Sequence, residues 1–184
     1  MRTASSFLSE SSFWDIIDHS LKNSQNFEEQ DDYLYAALEK LSIDELVAFR
    51  YYVIKFEVQA YSSNLWATAY LIKGGCSDDT FEYFRYWLIS RGEKVFKQAL
   101  VNPDSLCDEL AKVDGENEYE YEGLAFIPNE VLDEKFEIEY YEIDGTYDFG
   151  DVYDYPEIEL EWHEDAVKKL LPNTYKMINS KNQS

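Results

Sequence analysis

Cysteine and histidine are scarce in this chain, which has two of each: Cys76 and Cys107, His19 and His163. Two cysteines are too few for a disulfide framework, and nothing else calls for an oxidising compartment, so both are expected as free thiols. No cysteine or histidine pair has zinc spacing, so a structural zinc site is not expected. No apolar run reaches the roughly 18 residues that a membrane helix needs. The opening MRTASSFLSESSFW also lacks the apolar centre of a secretory signal. A cytoplasmic protein is therefore expected. Basic residues are nearly missing from one region: residues 114–165 hold Lys135 alone against 20 acids. A segment of that charge repels nucleic acid, whose binding depends on basic contacts, and repels anionic membranes, so neither is expected as a partner.

What the chain has in quantity is apolar, aromatic and acidic. The 45% hydrophobic fraction over 184 residues suffices for a substantial core, and residues 1–184 are read as one domain. Aromatic side chains make up 17%, led by 16 tyrosines and 11 phenylalanines. The net charge of −22 is unevenly spread: residues 114–165 carry −19 and the others together only −3. Basic surfaces or cations are the natural partners of such a segment.

Helical signals dominate residues 11–113. SSFWDIIDHSLKNS opens with Ser12 and Asp15 at capping spacing and sets Phe13, Ile16, Ile17 and Leu21 on one face. FEEQDDYLYAALEKL repeats the pattern behind an acidic first turn, which suits the helix dipole. In LSIDELVAFRYYVIKFEVQA, Ser42 and Glu45 form a capping box, and Leu46, Phe49, Val53, Phe56 and Ala60 make a stripe. Its other face is also largely apolar, which marks the central helix. NLWATAYLIKGG reads as a further helix, or the same one bent near Ser62 and Ser63, ended by Gly74 and Gly75. EKVFKQAL and PDSLCDELAKV add two short helices, the second with Pro103 at its start.

Beyond residue 113, EYEYEGLAFI, KFEIEYYEI and EIELEW alternate acids with apolar or aromatic residues, the period of a strand with one packed and one acidic face. Residues 114–162 are accordingly expected as a small acidic antiparallel β/loop region, with strands near 136–140 and 158–162. Residues 163–178 are expected as a C-terminal helix, stopped or restarted at Pro172. The fold class read from sequence is mainly α, in the α+β sense.

The stretch GGCSDDTFEYFRYWLISRG, residues 74–92, combines glycines, a cysteine and paired acids with an aromatic run. It resembles a bacterial family of cytoplasmic domains of unknown function whose hallmark is GGCSDD followed by an aromatic, arginine-containing helix. FWDIID, AYSSNLWATAYLIK and NPDSLCDELA belong to the same pattern, over roughly residues 13–178. The resemblance implies a mainly helical protein with Trp14, Trp66, Gly74, Gly75, Cys76, Ser77, Asp78, Asp79, Phe84, Arg85 and Trp87 as hallmark positions. It brings no activity with it. The acidic, tyrosine-rich residues 136–162 depart from the pattern.

Two chemistries compete in this chain. At the turn, Ser77 stands where a helix N-cap belongs and Asp78 and Asp79 fall in the first turn, where negative charge is stabilised. A helix, glycine turn and helix explain every residue there. Cys76 is a candidate nucleophile with His19 or His163 as base, but the neighbouring acids disfavour a thiolate. Asp78 and Asp79 with Glu82 are candidate cation ligands or an acid–base pair, and Arg85 is placed to pair with Glu82 one turn back. Asp144, Asp148, Asp151 and Asp154 lack the spacing of a calcium loop. No metal, cofactor or catalytic residue is assigned.

The acidic segment offers binding. Glu137, Glu139, Asp148, Asp151, Asp154, Glu157, Glu159 and Glu161 supply charge, and Tyr140, Tyr141, Tyr153 and Tyr155 supply rigid contact area. The expectation is a protein-binding module of immunity or antitoxin type, neutralising a basic partner such as a nuclease-type toxin. An enzyme or metal-binding protein using Cys76, Ser77, Asp78 and Asp79 is the alternative.

Overall fold

The computed structural model describes residues 1–113, 119–143, 145–160 and 162–181. Among them the chain forms eleven α-helices. α1 (Glu10–Asn23) is capped by Ser9, whose side chain accepts from the Ser12 amide, three residues ahead of the cap expected at Ser12. α2 (Phe27–Leu38) is capped by Asn26. α3 (Ile43–Gln59) begins with the capping box read from sequence: Ser42 accepts from the Glu45 amide, and the Glu45 carboxylate accepts from the Ser42 amide at 2.9 Å.

A break at Ala60 and Tyr61 separates α3 from α4 (Ser63–Lys73), so these are two helices, the second capped by Ser62. α5 (Asp78–Ser90) and α6 (Glu93–Val101) follow. A 3-10 turn with Pro103 at its start then leads into α7 (Cys107–Ala111).

The apolar stripes of these helices meet in one core. Phe13 lies at its centre, with ring centroids 4.8 Å from Phe49, 5.3 Å from Phe56 and 5.0 Å from Trp14. Trp66, Phe81, Phe84, Trp87 and Leu88 belong to the same cluster and bring α4 against α5 and α5 against α3. Each such ring removes on the order of 150–250 Å² from water, which makes the aromatic content the main apolar driving force of the fold.

The region beyond residue 113 differs from its expected form. EYEYEGLAFI was read as a strand, yet the chain forms α8 (Gly123–Phe136), with Pro128 inside it. Leu124, Ile127, Val131 and Leu132 recur at helical spacing and are buried in the core, where α2 and α3 cover them. That stripe outweighs both the alternating acids before it and the ladder bond that Pro128 cannot make.

No antiparallel sheet forms among the described residues. Residues 136–140 end α8 and lead into the short α9 (Tyr140–Ile143), and residues 154–160 have no regular secondary structure. The sheet that is present is a parallel pair, β1 (Arg2–Thr3) with β2 (Tyr147–Asp148), in register Arg2 to Tyr147 and Thr3 to Asp148. A strand needs an edge to pair with, and a helical body offers none. The alternation survives in part without a sheet: Phe136, Ile138 and Ile158 pack on the core while Glu137, Glu139, Glu157 and Glu159 are exposed, but Leu160 is exposed as well.

The C-terminal helix is two helices, α10 (Glu164–Leu170) and α11 (Pro172–Lys181). Asp104 fixes α11 from the 3-10 turn. Its buried carboxylate accepts from the Asn173 amide at 3.1 Å, and from the Thr174 amide and hydroxyl at 2.9 and 3.0 Å. It thus serves as an N-cap supplied from 70 residues away. No helix among the described residues is long and apolar enough to cross a membrane.

Candidate functional site

At the glycine turn, Gly74 takes the left-handed conformation with φ 69° and closes α4, and the Gly75 amide donates to the Tyr70 carbonyl at 3.2 Å. Ser77 caps α5, its hydroxyl oxygen accepting from the Thr80 amide at 3.2 Å, with Asp78 and Asp79 exposed in the first turn. Cys76 is half-buried, and its carbonyl accepts from the indole of Trp66 at 3.4 Å. Burial first, and then the charges of Glu120 and Asp78, push the Cys76 thiol up to about 11. The turn therefore holds a protonated thiol, the opposite of what a nucleophile needs. No group of acids, histidines or cysteines among the described residues is arranged to hold a metal.

Arg85 does not pair with Glu82, whose carboxylate instead accepts from the Tyr86 hydroxyl at 3.2 Å. Arg85 lies on the core face of α5 and forms an ion pair with Glu57 of α3, with only 4% and 2% of the two side chains exposed. Its Nε donates to the Phe81 carbonyl at 3.2 Å and its Nη1 to the Glu57 carbonyl at 3.3 Å. The rings of Phe81 and Tyr61 lie within 4.8 and 4.9 Å of the guanidinium. Desolvation raises the Glu57 carboxyl, against the opposing pull of Arg85 and of a hydroxyl donated by Tyr155. Sequence reading passed over Glu57, although the signal was there: an acid one turn after Val53 and three residues before Ala60, on the buried face of α3.

Tyr155 links this buried pair to the acidic segment. Its hydroxyl bonds Glu57, its ring meets Tyr61 edge-on at 5.1 Å, and it remains 48% exposed. Other side chains tie the segment down in the same way. The Tyr147 hydroxyl donates to Asp44, which also pairs with Arg2. Phe149 packs against Tyr51 and under Arg50, and the Trp162 indole donates to the Ser63 carbonyl at 2.9 Å.

Between these anchors the segment faces solvent. Glu137, Glu139, Asp148, Asp151, Asp154, Glu157 and Glu159 are all exposed, as are Tyr140, Tyr141 and Tyr153. Glu161 lies outside the described residues, as does Asp144. Of the expected contact residues, Tyr155 is committed in part to the body, and Tyr140 is approached by Arg50 at 5.4 Å.

The family described as Protein of unknown function (DUF4240) matches residues 8–134 of this chain, which belongs to that family. No curated protein and no solved structure matches it. The matched residues take in α1 to α7, the glycine turn and nearly all of α8. The exposed acids and tyrosines from Glu137 onward lie beyond them, and the span is shorter at its C-terminal end than the residues 13–178 expected from the motifs.

Proposed function

We propose that this protein is a binding module for a cationic protein, with the acidic, tyrosine-rich face of residues 137–160 as its contact surface. The observation that carries this reading is the exposure of Tyr140, Tyr141, Tyr153, Tyr155 and Leu160 together, on a stretch where no basic side chain interrupts the acids. Large apolar side chains on an otherwise charged surface mark protein contact sites. Tyrosine does so at small entropic cost, because its ring is rigid and its hydroxyl stays hydrated or bonded. The surrounding carboxylates steer a basic partner and reject nucleic acid and acidic proteins. A nuclease-type toxin, whose own nucleic-acid surface must be cationic, has the complementary chemistry, and an immunity or antitoxin role follows from covering it.

The test is capture on the immobilised protein from extracts of the source organism at low salt, followed by elution along a salt gradient. The expected result is a partner with an isoelectric point well above neutrality that elutes steeply as screening shortens the Debye length to roughly 8 Å near physiological salt. Retention of a neutral or acidic protein, independent of salt, would contradict the reading.

A further inference from the structure

A second site lies in the family part of the chain, away from the acidic face. The loop between α1 and α2, the end of α5 and the helix α7 enclose a cavity of about 370 Å³ lined by Phe27, Gln30, Trp87, Arg91, Glu109 and Lys112 among others. That volume falls in the range of small-molecule sites. Its chemistry centres on Arg91. The Arg91 Nε and Nη2 donate to the Ser90 hydroxyl at 3.2 and 3.0 Å, and Nη2 also donates to the Gln30 side-chain carbonyl at 2.6 Å. Gln30 is buried and held in turn, its amide donating to Ser20 Oγ at 3.3 Å and to the Ser90 carbonyl at 3.1 Å. The guanidinium is thus locked in orientation from one side by neutral groups. The rings of Phe27 and Trp87 lie 5.2 and 6.0 Å from it.

What this arginine lacks is a direct ion pair; the Glu109 carboxylate acts on it only at longer range. Among the described residues no carboxylate lies within ion-pair distance of Arg91, and its Nη1 has no hydrogen-bond partner. Glu109 on the rim is already paired with Lys112 at 2.6 Å. Burial pulls the Arg91 pKa down to about 10, which leaves it charged at neutral pH. A preorganised, partly desolvated guanidinium without a direct ion pair is unexpected in a chain of net charge −22, where acids to pair with it are abundant.

We infer that the cavity is a binding site for a small aromatic monocarboxylate, its carboxylate on Arg91 and its ring against Phe27, with the fully buried Trp87 behind them. The lining groups sum to one excess positive charge, which fits a single carboxylate, whereas a dianionic phosphate would leave Glu109 facing uncompensated charge. The site is independent of the acidic face and stands or falls separately from the proposed partner.

The experiment is a titration of the full chain with benzoate, phenylacetate and indole-3-acetate, each beside its neutral amide, followed by NMR of the Trp87 indole N–H and the Arg91 Nε–H. For at least one acid the expected result is saturable shifts of both signals with a dissociation constant on the order of 1 mM, as befits a ligand of about ten heavy atoms. Its amide should bind about tenfold more weakly, the loss expected for a charge-assisted bond. Arg91→Gln should abolish that preference while Arg91→Lys keeps part of it. The acid-to-amide comparison on the unaltered chain stands even where Arg91→Gln fails to fold. Equal binding of acid and amide, or no shift at either signal up to 20-fold above the expected constant for all three acids, would overturn the inference.

Discussion

In the helical body Phe13, Trp14, Phe49, Phe56, Phe84 and Trp87 are buried together, whereas between residues 137 and 160 the rings of Tyr140, Tyr141, Tyr153 and Tyr155 are largely exposed. The same residue class thus occupies two environments, and charge separates them. In the body, acids and bases nearly balance and the charged pair that is buried, Glu57 with Arg85, is internally compensated. In the acidic segment carboxylates outnumber bases so heavily that the chain there gains little by collapsing on itself. It is held to the body by single side chains, Tyr147, Phe149, Tyr155 and Trp162, rather than by a sheet. Stability therefore resides in the body and the proposed binding in the acidic segment, and substitutions should divide accordingly.

The largest losses belong to the body. Phe84→Ala empties a buried site on the core face of α5 and should cost about 3–5 kcal/mol, read from denaturant unfolding. An unchanged melting temperature would place α5 at the periphery. Glu57→Ala leaves the Arg85 guanidinium buried without its carboxylate and should cost a comparable 3–5 kcal/mol or so, while also freeing the Tyr155 hydroxyl. A mild effect, under about 1 kcal/mol, would mean that water already reaches this pair.

A smaller effect is expected at Asp104, where Asp104→Ala removes the acceptor shared by Asn173 and Thr174 and should cost about 1–3 kcal/mol. The loss should appear as faster amide exchange confined to α11, since the core cluster does not depend on that contact.

How far the sequence revealed this division can be judged element by element. Helices α3 and α5 were legible because their caps and apolar stripes agree, while the break between α3 and α4 stayed open; Ser42 with Glu45, and Ser77 with its two aspartates, each identify a helix start from chemistry alone. Helix α8 was hidden by Gly123 and Pro128 and by the alternating acids that precede it. The strands expected near 136–140 and 158–162 rested on a period of two, which says which side chains face inward but not whether a partner strand exists. Within the site, the alternation placed Phe136 and Ile138 inward but also Tyr140, which is exposed. The Glu57–Arg85–Tyr155 linkage did not follow from the sequence, because it joins three distant segments that only the fold brings together.

Smaller effects sharpen the comparison. Glu137 ends α8 with φ 54°, a left-handed conformation that a side chain disfavours, so Glu137→Gly should stabilise by about 1 kcal/mol in thermal unfolding. Loss of stability would show that the Glu137 side chain makes a contact worth more than the strain. At the body's surface, the ammonium of Lys55 holds the Glu10 carboxyl below its ordinary value of 4.5. A depressed carboxyl stabilises the fold above its unfolded value, and that contribution disappears as pH falls through the folded one. Glu10→Gln should therefore lower the melting temperature slightly at neutral pH and not at all once the pH has fallen below the lowered folded value. A difference that persists in acid would assign the effect to packing.

The central claim, that the charged face outside the family region makes the contact, is tested most directly by joint replacement of Glu137, Glu139, Glu157 and Glu159 with Gln. The measurement is the association rate with the captured basic partner in stopped flow, at low and at high ionic strength. The prediction is an unaltered or slightly raised melting temperature, because self-repulsion falls, with an association rate reduced about tenfold at low salt and converging on that of the unaltered chain at high salt. Equal rates for the two proteins at both salt concentrations would contradict the account.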